Sequence, residues 1–363
     1  MRAIVALIAT LVLAGVAASP PVAAQPAAAT PGTGLPHVVI LATGGTIAGT
    51  ASSSTATVGY AVATVGVQAL IAAVPELGRI AVVRGEQVLQ IASENMTPQL
   101  WLKLGKRVAE VLAEPDVAGV VITHGTDTLE ETAYFLDLTV HSDKPIVLVG
   151  AMRPATSISA DGPMNLYEAV LVAASREAVG RGTLVCMDDE IDAAREVTKT
   201  NTTALDTFRT PVVGSLGVIS GGRPVFYRSP ARRHNTGSEF DVTALAELPR
   251  VDIVPAYAGA GRGAVDFAIS SGARGIVYAA VGDGSVPLDV RPAFAEARKK
   301  GVVVVRSSRV GSGAVVRNGE ISDDEFDLVA ADSLNPQKAR ILLMLALTRT
   351  SDTRVIQQIF WQY

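Results

Sequence analysis

The feature that most constrains this chain is a recurrence. Short runs of apolar, largely β-branched residues each end in a turn rich in glycine or polar side chains. His37 to Leu41 runs into Thr43-Gly-Gly-Thr46, and Val117 to Ile122 runs into Thr123-His-Gly-Thr-Asp-Thr128. Pro145 to Val149 runs into Gly150-Ala-Met-Arg153, and Gly182 to Cys186 runs into Met187-Asp-Asp-Glu190. A strand with one wet face alternates apolar and polar residues. Runs without alternation belong to strands covered on both faces, as in a parallel sheet.

Helical patterns fill the intervals. Gln68 to Val74 is one, and Thr97 to Leu112 is another, with Leu100, Leu104, Val108 and Leu112 on one face. Thr128-Leu-Glu-Glu131 has the spacing of a capping box and opens a predicted helix through Leu138. Asp161-Gly-Pro163 offers an N-cap followed by proline, ahead of a helix from Leu166 to Ala174. Strands and helices that alternate on short connections predict a doubly wound α/β domain. A second set follows, with strands predicted at Val251–Val254, Gly275–Ala279 and Val302–Val305. Its helices are predicted at Gly263–Ile269, Val290–Lys299 and Asn335–Thr348.

The expected architecture is thus a large N-terminal, mainly parallel α/β domain over 36–227 and a smaller C-terminal α/β domain over 250–363. Arg, Pro, His, Asn and Ser crowd Arg228 to Ser238, and 228–249 reads as the connection. The first 24 residues read as a signal peptide. Arg2 is basic, Ile4 to Val16 is a short apolar stretch, and Val16-Ala-Ala18 and Val22-Ala-Ala24 are cleavage sites of the usual type. Residues 25–35 continue a Pro- and Ala-rich flexible lead. The expected location is the periplasm or the medium.

Composition excludes several classes. Of 363 residues, 31 are Lys or Arg and 35 are Asp or Glu, so the net charge of −4 lacks the basic footprint of a nucleic-acid binder. Beyond the N-terminus no apolar stretch is long enough to cross a membrane. The single cysteine, Cys186, permits no intrachain disulfide and reads as a small buried hydrophobe. There is no H-E-x-x-H, no phosphate-binding G-x-x-x-x-G-K-[ST], no G-x-G-x-x-G after a strand and no G-x-S-x-G. Zinc hydrolases, P-loop enzymes, Rossmann dehydrogenases and α/β-hydrolases therefore drop out.

What remains is threonine among glycines at two strand ends: Thr43-Gly-Gly-Thr46 and His124-Gly-Thr126-Asp127-Thr128. Ligands of open α/β sheets bind beyond the carboxyl ends of the strands. A hydroxyl on such a turn can be a nucleophile if a base lies nearby. Asp127 can bind a substrate ammonium or cap the helix that starts at Thr128. Lys199, in the hydroxyl-dense run Val197-Thr-Lys-Thr-Asn-Thr-Thr203, is by itself an ordinary loop lysine. It becomes a base only if burial or a nearby cation removes its proton.

Taken together the strings resemble the bacterial-type L-asparaginase family, in its exported branch that includes glutaminase-asparaginases. They are Ile40-Leu-Ala-Thr-Gly-Gly-Thr-Ile-Ala-Gly49, Ile122-Thr-His-Gly-Thr-Asp-Thr128, Val149-Gly-Ala-Met-Arg-Pro154, Ser159-Ala-Asp-Gly-Pro163 and Val197 to Thr203. Val305-Arg-Ser-Ser-Arg-Val310, Leu334-Asn-Pro-Gln-Lys-Ala-Arg340 and Gln358-Ile-Phe-Trp-Gln-Tyr363 extend the likeness to the end of the chain.

The resemblance implies hydrolysis of the side-chain amide of L-asparagine through an acyl-threonine, a step of asparagine catabolism. Thr46 would be the nucleophile, and Tyr60, on a mobile loop from Thr50 to Ala61, would help take its proton. Thr126, Asp127 and Lys199 would form a second hydroxyl–carboxylate–amine set, with Thr126 positioning water and polarising the amide. Ser93, Glu94 and Asp127 would hold the α-carboxylate and α-ammonium, and the Ala151 backbone would meet the leaving amide. It also implies no metal and no organic cofactor, and a homotetramer in which Glu320 of a neighbouring chain reaches the site.

Three departures stand out. Glu94 replaces the glutamine of several members, Gly259 replaces an interface asparagine, and Ser142 stands where one branch carries a disulfide cysteine. A dual glutaminase-asparaginase is the runner-up, and a periplasmic amino-acid-binding protein the remote alternative.

Overall fold

The structure, a computed structural model, describes residues 34–363 apart from Thr57. The expected signal peptide and nearly all of the lead lie outside the described residues. The larger sheet contains β1 (His37–Gly44), β2 (Val82–Ile91), β3 (Val117–Thr123), β4 (Ile146–Val149), β5 (Thr183–Met187) and β6 (Glu190–Ala193). After a small ribbon of β7 (Thr198–Lys199) and β8 (Phe208–Arg209), β9 (Gly217–Ser220) and β10 (Arg223–Phe226) complete it. The strand order is β10-β9-β6-β5-β4-β3-β1-β2. The five strands from β2 to β5 in that order are parallel, and β6, β9 and β10 extend the sheet antiparallel.

The continuous apolar runs became the central strands. From Val38 to Gly44 every residue of β1 is buried, as is every residue of β4 and β5. Sequence reading missed β2 because it is an edge strand with several exposed and half-buried residues, and so carries no continuous apolar signal. The antiparallel extension was missed because its short strands are interrupted by Glu190 and Asp192, Gly217 and Ser220, and Arg223 and Pro224, so none is an apolar run.

Helices α1 (Val67–Ala72), α2 (Pro98–Leu112), α3 (Leu129–Thr139) and α4 (Gly162–Ala173) connect the strands. On α2, Leu104, Val108 and Leu112 are buried as expected, with Trp101 rather than Leu100 completing the face. Nearly all of α3 is buried, the signature of a helix covered on all sides.

Two predicted caps do not form. Thr128 precedes α3, but its hydroxyl donates to the Ser93 carbonyl at 2.8 Å instead of capping. Asp161 precedes α4, yet its carboxylate accepts from the Met152 and Arg153 amides at 2.8 and 2.9 Å. In both cases a tertiary partner outbids the local one.

The second sheet holds β11 (Val251–Pro255), β12 (Gly275–Ala280), β13 (Val303–Ser308) and β14 (Val329–Ala330), parallel and in sequential order. Its helices are α5 (Gly263–Ser270), α6 (Arg291–Lys299), α7 (Asp323–Phe326), α8 (Pro336–Ala346) and α9 (Thr353–Gln362). Helix α8 packs on β11, β12 and β13 with one side and on α3 with another. The main core therefore runs through α8, while a second core fills the opposite face of the small sheet.

The expected connection, 228–249, is packed rather than free. Phe240 and Val242 are buried, Asn235 donates to the Val140 carbonyl at 2.9 Å, and Phe240 lies 5.4 Å from the Tyr363 ring. Cys186 is buried in β5, and burial pushes its thiol well above the ordinary value.

Candidate active site

The order β2-β1-β3-β4-β5 contains a reversal. From β1 the chain moves outward to β2 on one side and then returns to β3 on the other. Connections that leave adjacent strands in opposite directions open a crevice at their carboxyl ends. The two threonine-glycine turns end β1 and β3, so the topology puts both in that crevice.

The turns touch backbone to backbone. A Cβ on Gly45, which has φ +83°, would lie 2.3 Å from both the Cα and the nitrogen of Gly125. A Cβ on Gly125 would lie 2.6 Å from the Ser93 hydroxyl. Only hydrogen fits at either place, and the fit brings Thr46, Thr126 and Ser93 together. The Thr43 hydroxyl adds a bond to the Thr123 carbonyl at 2.8 Å, pinning β1 to β3 just below the turns.

His124 stiffens the second turn from beneath. It is fully buried, its Nδ1 lies 2.8 Å from the Gly125 carbonyl, and its Nε2 lies 2.9 Å from the Thr132 hydroxyl. A carbonyl only accepts, so Nδ1 carries the proton and Nε2 accepts from Thr132. Thr132 in turn accepts from the Trp101 indole at 2.9 Å. Burial pushes the His124 imidazole down to about 4, so the ring is neutral in this network.

Above the turns is a cleft of about 430 Å³ lined by Thr46, Tyr60, Glu94, Thr126, Asp127 and Lys199, among others. Six of the nine residues named from sequence thus share one cavity. The Thr46 hydroxyl lies 2.9 Å from the Tyr60 hydroxyl. Lys199 Nζ donates to the Thr126 hydroxyl at 2.9 Å and to the Asp127 carboxylate at 2.6 Å. Lysine has no acceptor, so Thr126 receives that bond and keeps its own proton for another partner. Asp127 binds Lys199 rather than capping α3, and its side chain is 63% exposed toward the cleft while Lys199 is only 16% exposed.

Three named residues stand apart from the cleft wall. Ser93 lies buried beside Gly125. Ala151 is wholly buried between Gly150, whose carbonyl accepts from Asn165, and Met152, held by Asp161. Glu320 sits on a loop of the small sheet, exposed, and accepts from the Ser285 hydroxyl at 3.2 Å. It does not line this chain's cleft.

Sequence reading missed Val58, Gly59, Val62, Met152, Arg153, Thr202 and Thr203 in the wall. Thr202 and Thr203 lay in the run already marked as hydroxyl-dense. Arg153 had no chemical signal of its own; it is anchored by the Ser159 hydroxyl at 2.7 Å. The loop carrying Tyr60 is closed by paired backbone bonds between Thr50 and Ala61 at 2.8 and 3.0 Å. It is tied to the loop after β4 through the Thr156 hydroxyl, which accepts from Ala51 at 2.8 Å.

Fold and cleft define a class: an open α/β protein whose switch-point crevice pairs a hydroxyl couple with a hydroxyl–lysine–carboxylate set. The family described as "Asparaginase, N-terminal" matches residues 37–232, and "Glutaminase/Asparaginase C-terminal domain" matches residues 250–360. The chain belongs to the asparaginase family.

It is similar to the glutaminase-asparaginase of Pseudomonas fluorescens biotype A, 51% identical over 94% of this chain and 95% of that protein. It is similar to a probable periplasmic L-asparaginase of Haemophilus influenzae, 50% identical over 90% of this chain and 93% of the other. The crystal structure of a probable cytoplasmic L-asparaginase from Campylobacter jejuni superposes with a TM-score of 0.88. That protein is 47% identical and aligned over 90% of this chain and all of its own.

Proposed function

We propose that this protein hydrolyses the side-chain amide of L-asparagine to L-aspartate and ammonia, with Thr46 as nucleophile. The observation that carries the reading is the Thr46–Tyr60 contact of 2.9 Å in the same cleft as the Thr126–Lys199–Asp127 set. An amide is a poor electrophile, so the site must supply an attacking oxygen, a place for its proton and a proton for the departing nitrogen.

In this reading Thr46 Oγ1 attacks the amide carbon and passes its proton to the Tyr60 oxygen as the Tyr60 hydroxyl proton moves on toward the amide nitrogen. The carbon–nitrogen bond then breaks, and the proton is delivered to nitrogen, which leaves as ammonia. A water oriented by Thr126 next attacks the threonine ester. As the ester bond breaks, one of the water protons goes to Thr46 Oγ1, and the other leaves with the freed carboxyl group, which ionises to aspartate. Lys199 holds Thr126 so that its hydroxyl hydrogen points to the reacting groups. Glu94 and Asp127 take the substrate ammonium, Ser93 its carboxylate, and the Ala151 backbone the leaving amide.

A secondary glutaminase activity belongs to the same proposal, supported by the name of the Pseudomonas relative. The working unit is proposed to be a homotetramer in which Glu320 enters the cleft of a second copy. The division into a catalytic portion over 36–227, a connection over 228–249 and a second α/β portion over 250–363 is part of the reading, supported by the two separate sheets. A periplasmic location is proposed from the leader pattern and from the name of the Haemophilus relative.

The test is ammonia release from L-asparagine and L-glutamine, measured side by side for the wild type and Thr46→Ala. The wild type should release ammonia, faster from asparagine, and the variant should lose at least about 100-fold while still binding L-aspartate. Retention of more than about a tenth of the rate would remove Thr46 as nucleophile. Asparagine binding without ammonia release by the wild type would instead indicate an amino-acid-binding protein.

A further inference from the structure

Lys338 is a lysine buried among backbone. It lies in the first turn of α8, after the cap Asn335, whose side chain accepts from the Lys338 amide at 3.0 Å. Only 2% of it is exposed. A buried ammonium is tolerated when each of its three protons has an acceptor. Here Nζ donates to the carbonyl of Arg195 at 2.9 Å and to that of Val197, and the Glu130 carboxylate lies at 3.7 Å.

The acceptors sit at informative places. Arg195 and Val197 form the segment that runs directly into Lys199. Glu130 is in the first turn of α3, three residues after Asp127. One ammonium on α8 therefore touches both arms of the Thr126–Asp127–Lys199 set without reaching the cleft. Asn335 repeats the pattern with a neutral head: its amide donates to Glu130 at 3.0 Å and to the Thr198 hydroxyl at 3.4 Å. The segment is gripped from the same side again, because the Arg195 guanidinium donates to the Tyr363 carbonyl at 2.6 Å and to the Ser333 hydroxyl at 3.0 Å.

The direction of these bonds matters. On the Lys199 arm Lys338 holds main-chain carbonyls, which fix where the chain goes, and its tie to the other arm is the Glu130 carboxylate at 3.7 Å. β7 is only two residues long and pairs only with β8. It has no large sheet to fix it, so its position depends on what holds the carbonyls leading into it. Lys199 in turn meets two partners on a different element at 2.9 and 2.6 Å, and a shift of about 1 Å breaks such contacts.

We propose that Lys338 is a positioning residue: by tying the carbonyls of Arg195 and Val197 to Glu130, it sets the Lys199 arm against the Thr126–Asp127 arm. The inference rests on the reading of Lys199 as part of the active site. It gives the C-terminal portion of the chain a part in catalysis within a single subunit, separate from any residue it lends to a neighbour.

The experiment uses the full-length enzyme with Lys338→Met, alone and combined with Lys199→Ala. Asparagine kinetics, thermal melting and a crystal structure of the single variant are measured. The expected result is a kcat lower by about tenfold with KM within about twofold. No further loss should appear when Lys338→Met is added to Lys199→Ala, although Tm falls in both backgrounds. The crystal should show Lys199 Nζ beyond hydrogen-bond distance of Thr126 or Asp127.

Equal fold-losses in the two backgrounds, or Lys199 unmoved in the crystal, would overturn the proposal. A Lys199→Ala enzyme with the wild-type rate would instead sink the reading of the site, and the Lys199 position in the Lys338→Met crystal would still decide the positioning role. If Lys338→Met does not fold, Lys338→Gln, which keeps an amide donor, is judged by the same criteria.

Discussion

The two sheets of this molecule are built from the same material and end differently. Both have buried parallel strands of Val, Ile and Ala, and both present loops at the carboxyl edge. In the large sheet the order reverses between β1 and β3, and the loops after those strands meet in a cleft with two hydroxyls, a tyrosine and a lysine–carboxylate pair. In the small sheet the order is sequential, so every connection moves the same way, and the cavity of about 470 Å³ at its carboxyl edge opens against Thr198, Lys199 and Thr200 and the start of α8 rather than between two of its own loops. Its edge carries Glu320 beside Ser285. Strand order, rather than strand composition, distinguishes the two edges.

The sharpest way to break this comparison is to separate the two turns of the large sheet. Gly45→Ala puts a methyl group 2.3 Å from the Gly125 backbone at φ +83°, so the turns must part. We expect a loss of ammonia release of at least about 100-fold. On the small sheet's edge, a Cβ at Gly261 would meet only Asp289 Oδ2 at 3.7 Å. Gly261→Ala should stay within about twofold of the wild type. Similar losses in both variants would show that the two edges are not different in kind.

A second test asks whether the small sheet supplies its residue to another copy of the chain. Glu320→Ala alone should lose about tenfold or more, a smaller effect than parting the turns. Mixing it with Thr46→Ala chains under exchange conditions should recover activity, because some clefts would then combine an intact Thr46 with an intact Glu320. A fully active monomer in sedimentation would end this idea.

The smallest effect separates the large sheet's interior from its edge. Asp192, on β6, is buried with one carboxylate oxygen unpartnered, and burial pushes it from 3.8 up to about 7. The folded state therefore holds this proton more tightly than the unfolded chain does. The stability linked to it is fully present below about pH 4 and is lost as pH rises through about 7. Asp192→Asn should flatten the fall in Tm between pH 5 and pH 8 and leave the asparaginase rate nearly unchanged. An identical pH profile of Tm in the variant would show that Asp192 is ionised without cost.

Much of this was legible in the chain, for identifiable reasons. Unbroken apolar runs report strands covered on both faces, so β1, β3, β4 and β5 could be read directly. Glycines flanking Thr46 and Thr126 report a backbone that something must approach. Edge strand β2 and strands β6, β9 and β10 could not be read, because partial exposure in the first and charged, polar or proline residues in the others break the apolar run. The capping spacings at Thr128 and Asp161 were genuine local options. Ser93 and the Met152–Arg153 amides took those side chains for tertiary bonds instead.

Residue type and spacing within a few positions already specify the class of sheet, the two hydroxyl-bearing turns and the family. Which turns become neighbours is set by the fold. Thr46 and Thr126 are 80 residues apart, and their meeting depends on β3 returning to the far side of β1 and on two glycines that leave no Cβ between them. Lys199 shows the same limit. Alone in its loop it has no assigned chemistry. It gains two partners where β7 brings it to Thr126 and Asp127, and a buried ammonium 139 positions later donates to the carbonyls that lead into it. Contacts of that separation leave no periodicity in the chain, which is why they could only be found in the fold.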